Sequence, residues 1–198
     1  MEIINFFEIF WFVAFAIAFW HATKKNSLAD ALIFLVPAVA WGFFAEYFGV
    51  HLWGIYEYPQ NYMFMIGGIP LTIALGWATI KHFGYYITTE VLHVRKKLNL
   101  DLESAFLSTL IDFIILEPFA LIFKFWTWKQ NDFWFGAPLF NFIGWFSIIT
   151  IYLMTYQIIS NKFKDKKQQA IYFTLALIPA FIILQLGIVI YLSLFGWF

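Results

Sequence analysis

Four carboxyl side chains interrupt the apolar runs of this chain: Glu8, Glu46, Asp112 and Glu117. Placing a carboxylate in hydrocarbon costs on the order of 3 kcal/mol, so such a residue is normally paired or functional. Cationic partners are scarce, because almost every Lys and Arg lies in three basic segments. Lys124 and Lys129 are the exceptions, and Lys124 stands seven residues beyond Glu117 on its helical face. A carboxyl with no cation in apolar surroundings favours its neutral form. That is the state a general acid needs at neutral pH. Asp112 and Glu117 point about 140° apart on an ideal helix, five residues at 3.6 per turn. Both face one cavity only if Pro118 kinks the helix and rotates its upper half; otherwise one acid works and the other is structural.

The acids recur with a pattern of aromatic, glycine and proline residues. Glu46 is followed by Tyr56-x-Tyr58, Gly68-x-Pro70 and Gly76-Trp77; Glu117 is followed by Trp126-x-Trp128, Gly136-x-Pro138 and Gly144-Trp145. From the Gly-x-Pro onward the two copies keep a constant offset of 68 residues. A duplication follows, in which Glu46 faces Glu117 across a pseudo-twofold axis. Asp112 has no counterpart in the first copy. Tyr56, Tyr58, Trp126 and Trp128 read by default as an interfacial aromatic belt; their functional reading is a mouth whose π faces stabilise a cation. Asn141 offers an amide to a water or a carboxyl, or a plain interhelical hydrogen bond.

The elements that position these residues are membrane helices. Of 198 residues, 63% are hydrophobic, 24% aromatic and 12% charged. Long continuous apolar runs in such a chain define an all-α polytopic transmembrane bundle, with residues 1–198 as a single integral membrane domain. About six spans are expected, near 3–20, 28–50, 62–81, 104–124, 134–159 and 170–197, with the parallel repeat in spans 2–3 and 4–5. Ten of the twelve basic residues fall after spans 1, 3 and 5, Lys81 among them. The positive-inside rule then puts those loops in the cytoplasm of a multi-pass cell-membrane protein, with both termini and both aromatic loops outside. The basic loops read as topology signals and lipid contacts, not as nucleic-acid sites. Between spans 3 and 4, residues 82–103 read as an extension of span 3 or an interfacial helix.

Other chemistries find little support. There are no cysteines. His21, His51, His82 and His93 have no ligand spacing, and no phosphate loop, nucleophile elbow or dinucleotide fingerprint is present, so no metal and no cofactor is expected.

The ordered set Glu46, Gly49, Tyr56, Tyr58, Gly68-Ile69-Pro70, Trp77, Asp112, Glu117-Pro118, Trp126, Trp128, Gly136, Pro138, Asn141, Gly144 and Trp145 resembles the membrane carotenoid-biosynthesis family that includes CruF and the archaeal bisanhydrobacterioruberin hydratase. The resemblance covers about residues 38–150. Where the family is often glycine-rich, between Gly49 and Tyr56, this chain has VHLWGI. The resemblance implies a cofactor-independent hydratase, a hydro-lyase acting on the terminal double bond of a linear carotenoid or other long isoprenoid. Glu46, Asp112 and Glu117 would be catalytic. Tyr56, Tyr58, Trp77, Trp126, Trp128, Asn141 and Trp145 would line the substrate. Such a reaction needs a strong neutral acid to protonate the alkene and π faces or a carboxylate to stabilise the tertiary cation. An isoprenoid cyclase or isomerase would use the same cation, and a non-catalytic lipid- or pigment-binding protein would need only the cavity.

Overall fold

The computed structural model describes residues 2–129 and 133–194. Six helical rods account for most of them. α1 is Ile3–Lys25, and α2 is Leu28–Tyr47, which runs on as a π-helical turn over Phe48–Leu52. α3 is Leu71–Tyr86, extended by a π turn over Ile87–Val91. α4, Lys97–Ile111, passes through a π turn at Asp112–Leu116 into α5, Glu117–Phe123. α6 is Leu139–Lys162 and α7 is Lys166–Leu194. Five rods are long and apolar enough to span a membrane: α1, α2 with its π turn, α4–α5, α6 and α7. Their outer faces stay bare of protein, with Phe10, Ile183 and Ile190 each at least 60% exposed, as a lipid-facing surface requires. The chain is an all-α membrane bundle.

The third rod differs from its sequence reading. Residues 62–70 are not helical: β2 (Met65–Ile66) pairs with β3 (Ile69–Pro70) across Gly67 and Gly68, whose φ angles are +54° and +79°. Two left-handed residues followed by proline cannot continue a helix, so α3 begins only after Pro70. The rod extends at its other end instead, so residues 82–91 of the 82–103 connection continue the third rod. Lys81 therefore lies inside α3, fully buried, and not in a basic loop.

Both copies of the repeat start their second helix in the same way. Gly68 and Gly136 have φ of +79° and +86°, and Pro70 and Pro138 stand at the N-caps of α3 and α6. Proline costs nothing there because its missing N–H would have no helical partner. The two most extensive helix contacts are α2 with α3 and α4 with α6, the pair within each copy. β1 (Tyr56–Glu57) and β4 (Thr127–Trp128) join the copies as a short antiparallel ladder, placing Tyr56 opposite Trp128. Large aromatics fill the core on both sides of this junction. Trp41, Tyr152 and Phe173 belong to one cluster, and Tyr58, Phe125 and Phe140 to the other.

Candidate active site

Glu46, 7% exposed on α2, accepts three hydrogen bonds. The hydroxyls of Tyr56 and Tyr58 both donate to Oε2 at 2.5 Å, and Trp77 Nε1 donates to Oε1 at 2.6 Å. Burial, with the nearby Glu46 charge, pushes both phenols well above their ordinary range, so they keep their protons and can donate. Close approach is made possible by glycine: a Cβ at Gly49 would sit 2.5 Å from the Tyr56 hydroxyl, and one at Gly42 would sit 2.5 Å from the Trp77 Cβ.

Glu117, 2% exposed, repeats the arrangement with its own aromatic pair. Trp126 Nε1 and Trp128 Nε1 donate to Oε2 at 3.2 and 2.9 Å, and Asn141 Nδ2 donates to Oε1 at 2.8 Å. The same amide donates to Asp112 Oδ2 at 3.0 Å. Asn141 is the only hydrogen-bond partner of the Asp112 carboxyl among the described residues, so one of its oxygens is uncommitted. With both amide hydrogens used, the Asn141 carbonyl oxygen is likewise left over. Lys124, within reach of Glu117 on an ideal helix, adopts a left-handed conformation at the end of α5 and makes no ion pair with it; indole and amide donors hold Glu117 instead.

The π turn brings Asp112 and Glu117 together. Glu117 N–H donates to the Asp112 carbonyl, an i→i+5 bond that stacks residue 117 one turn above residue 112. The 140° separation of an ideal helix does not apply. Pro118 contributes by lacking an N–H, which leaves a carbonyl one turn below it without a helical donor. Trp134 Nε1 satisfies the Phe113 carbonyl at 2.7 Å.

All three acids line one cavity of about 100 Å³, together with Tyr56, Tyr58, Trp77, Trp126, Trp128, Asn141 and Trp145. Every site residue expected from the sequence is thus in one place. The indoles of Trp77 and Trp145 stack across the two copies with centroids 3.7 Å apart and planes at 9°. The aromatic residues are not a lipid-facing belt. They are the walls of the cavity and the donors to its carboxyls.

Some contributors were not foreseen. Trp11 of α1 lines the cavity, and its indole N–H has no hydrogen-bond partner among the described residues. Gln185 of α7 also lines it and accepts from Trp53 Nε1 at 3.0 Å. No spacing in the sequence ties α1 or α7 to the repeat. Lys81 is buried with no hydrogen-bond partner among the described residues, and its Nζ lies 5.0 Å from the Trp77 ring and 4.6 Å from that of Tyr152. Glu8, the fourth acid, stands outside the cavity. It accepts from the backbone N–H groups of Met63 and Phe64 at 2.8 and 3.1 Å and anchors the β2–β3 hairpin to α1. His51 also serves this hairpin, through a 2.7 Å hydrogen bond to the Gly67 carbonyl.

Fold and site together define a helical membrane protein with a carboxyl-lined aromatic cavity built by two joined copies of one motif. The family model for carotenoid biosynthesis proteins matches residues 6–196, nearly the whole chain, and the chain belongs to that family. Its role is therefore in carotenoid biosynthesis. Neither a curated protein nor a solved structure matches it.

Proposed function

We propose that the protein hydrates a terminal double bond of a linear carotenoid or related long isoprenoid, with Asp112 as the proton donor. The observation that carries this reading is the unequal commitment of the three acids. Glu46 and Glu117 each accept three donors, two of them through one shared oxygen, which suits a carboxylate. Asp112 alone keeps an oxygen free to carry a proton into the cavity.

The step balances simply. The alkene π pair takes the Asp112 proton, forming a C–H bond at the less substituted carbon and a tertiary cation at the other. The faces of Trp128 and Tyr56 and the charges of Glu46 and Glu117 stabilise that cation. A water held by the free Asn141 carbonyl oxygen forms the C–O bond and gives up a proton to Glu117. Transfer of that proton to Asp112, its neighbour across the Asn141 amide, resets the site, with one water added and no redox change. The cavity of about 100 Å³ suits the branched end group alone, so the polyene tail lies between helices along the bilayer. The charge pattern supports an extracytoplasmic site with both termini on that side.

Expression in cells that accumulate an acyclic carotenoid tests this. The expected product is heavier by one water and carries label when made in oxygen-18 water. An unlabelled product would indicate proton loss and a cyclase or isomerase. An unchanged co-purifying pigment would indicate binding alone.

A further inference from the structure

A second hollow, about 270 Å³, opens where the α1–α2 turn, the end of α3 with its π turn, and the last part of α6 meet. It lies among the basic segments, away from the carboxyl cavity. Its wall carries two cations, Lys25 and Arg95, and two carboxylates, Asp30 and Glu90. Glu90 is taken by Lys25 at 3.2 Å, and Asp30 by Lys166 at 2.5 Å. Arg95, also on the wall, forms no ion pair among the described residues. With Glu90 held by Lys25 and Asp30 held from outside the wall by Lys166, no carboxylate of the wall is left for Arg95.

The hydrogen-bond inventory leans the same way. Tyr85, Tyr86 and Tyr156 line the hollow, and none of their hydroxyls makes a hydrogen bond among the described residues. At its inner wall His21 Nδ1 and His82 Nε2 bond to each other at 2.9 Å, with His82 only 8% exposed. That contact uses one nitrogen of each ring and leaves the other. Three phenols, an unpaired guanidinium and a histidine pair around one space, whose two carboxylates are already held by lysines, form a donor-rich surface. A ligand bearing several acceptor oxygens and negative charge satisfies it best.

We propose that this hollow binds a phosphate oxyanion, held by Arg95 and the hydroxyls of Tyr85, Tyr86 and Tyr156. A phospholipid head group or a soluble phosphate ester would present the same group. The volume exceeds that of one phosphate and leaves room for the alcohol attached to it. The site is independent of the reaction proposed above.

Native mass spectrometry of the purified full chain tests it, with phosphatidylglycerol and diacylglycerol of matched acyl chains as probes and inorganic phosphate as competitor. One phosphatidylglycerol should stay bound per chain, and diacylglycerol should not. Tyr156→Phe and Arg95→Gln should each weaken retention about tenfold, the share of one strong hydrogen bond. Lys129→Gln, an exposed cation in the segment after β4, should leave it unchanged. Loss of the lipid on adding inorganic phosphate, or binding of phosphate without lipid, identifies a soluble ester as the ligand. Equal retention of both lipids with no phosphate binding overturns the proposal. So do Arg95 and Tyr156 variants that retain phosphatidylglycerol like wild type. Thermal unfolding of each variant separates lost binding from lost fold.

Discussion

Trp77 and Trp145 lie face to face, 3.7 Å apart, at equivalent positions of the two copies. Trp77 also donates to Glu46 at 2.6 Å, so the stack ties the junction between copies to one of the acids. Trp77→Phe would keep an aromatic face and remove the indole N–H. A hydrogen bond to a charged group contributes roughly 1.5–3 kcal/mol, so turnover is expected to fall by about one to two orders of magnitude. Product formation per unit of folded protein, compared with that of wild type, checks this.

Asp112→Asn is expected to abolish product while leaving thermal stability nearly intact, because the Asp112 carboxyl has a single hydrogen-bond partner. Glu117→Gln should behave differently. Its amide would place N–H groups against the donors of Trp126, Trp128 or Asn141, costing about 1–3 kcal/mol for a lost buried partner. Unfolding midpoints and pigment analysis on the two variants distinguish the roles. A stable, fully active Asp112→Asn protein would remove Asp112 as the proton donor.

Gly49→Ala would drive a methyl to within 2.5 Å of the Tyr56 hydroxyl, and overpacking of this kind costs about 1–3 kcal/mol. Both stability and activity are expected to drop as Tyr56 leaves Glu46. Gly144→Ala, inside α6, meets nothing within 4 Å, so its unfolding midpoint should equal or exceed that of wild type. Because Gly144 lines the cavity, the added methyl should raise KM for substrates with branched ends.

Pro118→Ala restores an N–H within the rod that carries both acids. The expected result is a shift from π to α geometry over Asp112–Leu116, a more stable helix and a less active protein. Greater thermal stability with unchanged turnover would mean that the π turn is not needed for the reaction.

Lys81→Met replaces a fully buried amine that has no hydrogen-bond partner among the described residues with an apolar chain of similar length. An unsatisfied buried polar group costs about 1–3 kcal/mol, partly offset here by the Trp77 and Tyr152 faces. A higher unfolding midpoint in detergent is expected.

The sequence by itself determined the membrane bundle, the duplicated motif and ten of the residues that line the cavity. Continuous apolar runs leave no other fold, and carboxyls without cations stand out against them. The residues alone did not determine how those groups pair, because that depends on contacts across helices. The third rod was misplaced because hydropathy over 62–70 is high, while the backbone there is turned by Gly67, Gly68 and Pro70. That error put Lys81 in a loop. The 140° separation of Asp112 and Glu117 assumed an α-helix, and only the folded rod shows the π turn that stacks them. Trp11 and Gln185 come from helices outside the repeat, and only packing brings them to the cavity. Tertiary structure also decided which acid differs from the others: each copy's own donors saturate its glutamate, and the Asp112 carboxyl, with Asn141 as its one partner, keeps an oxygen uncommitted.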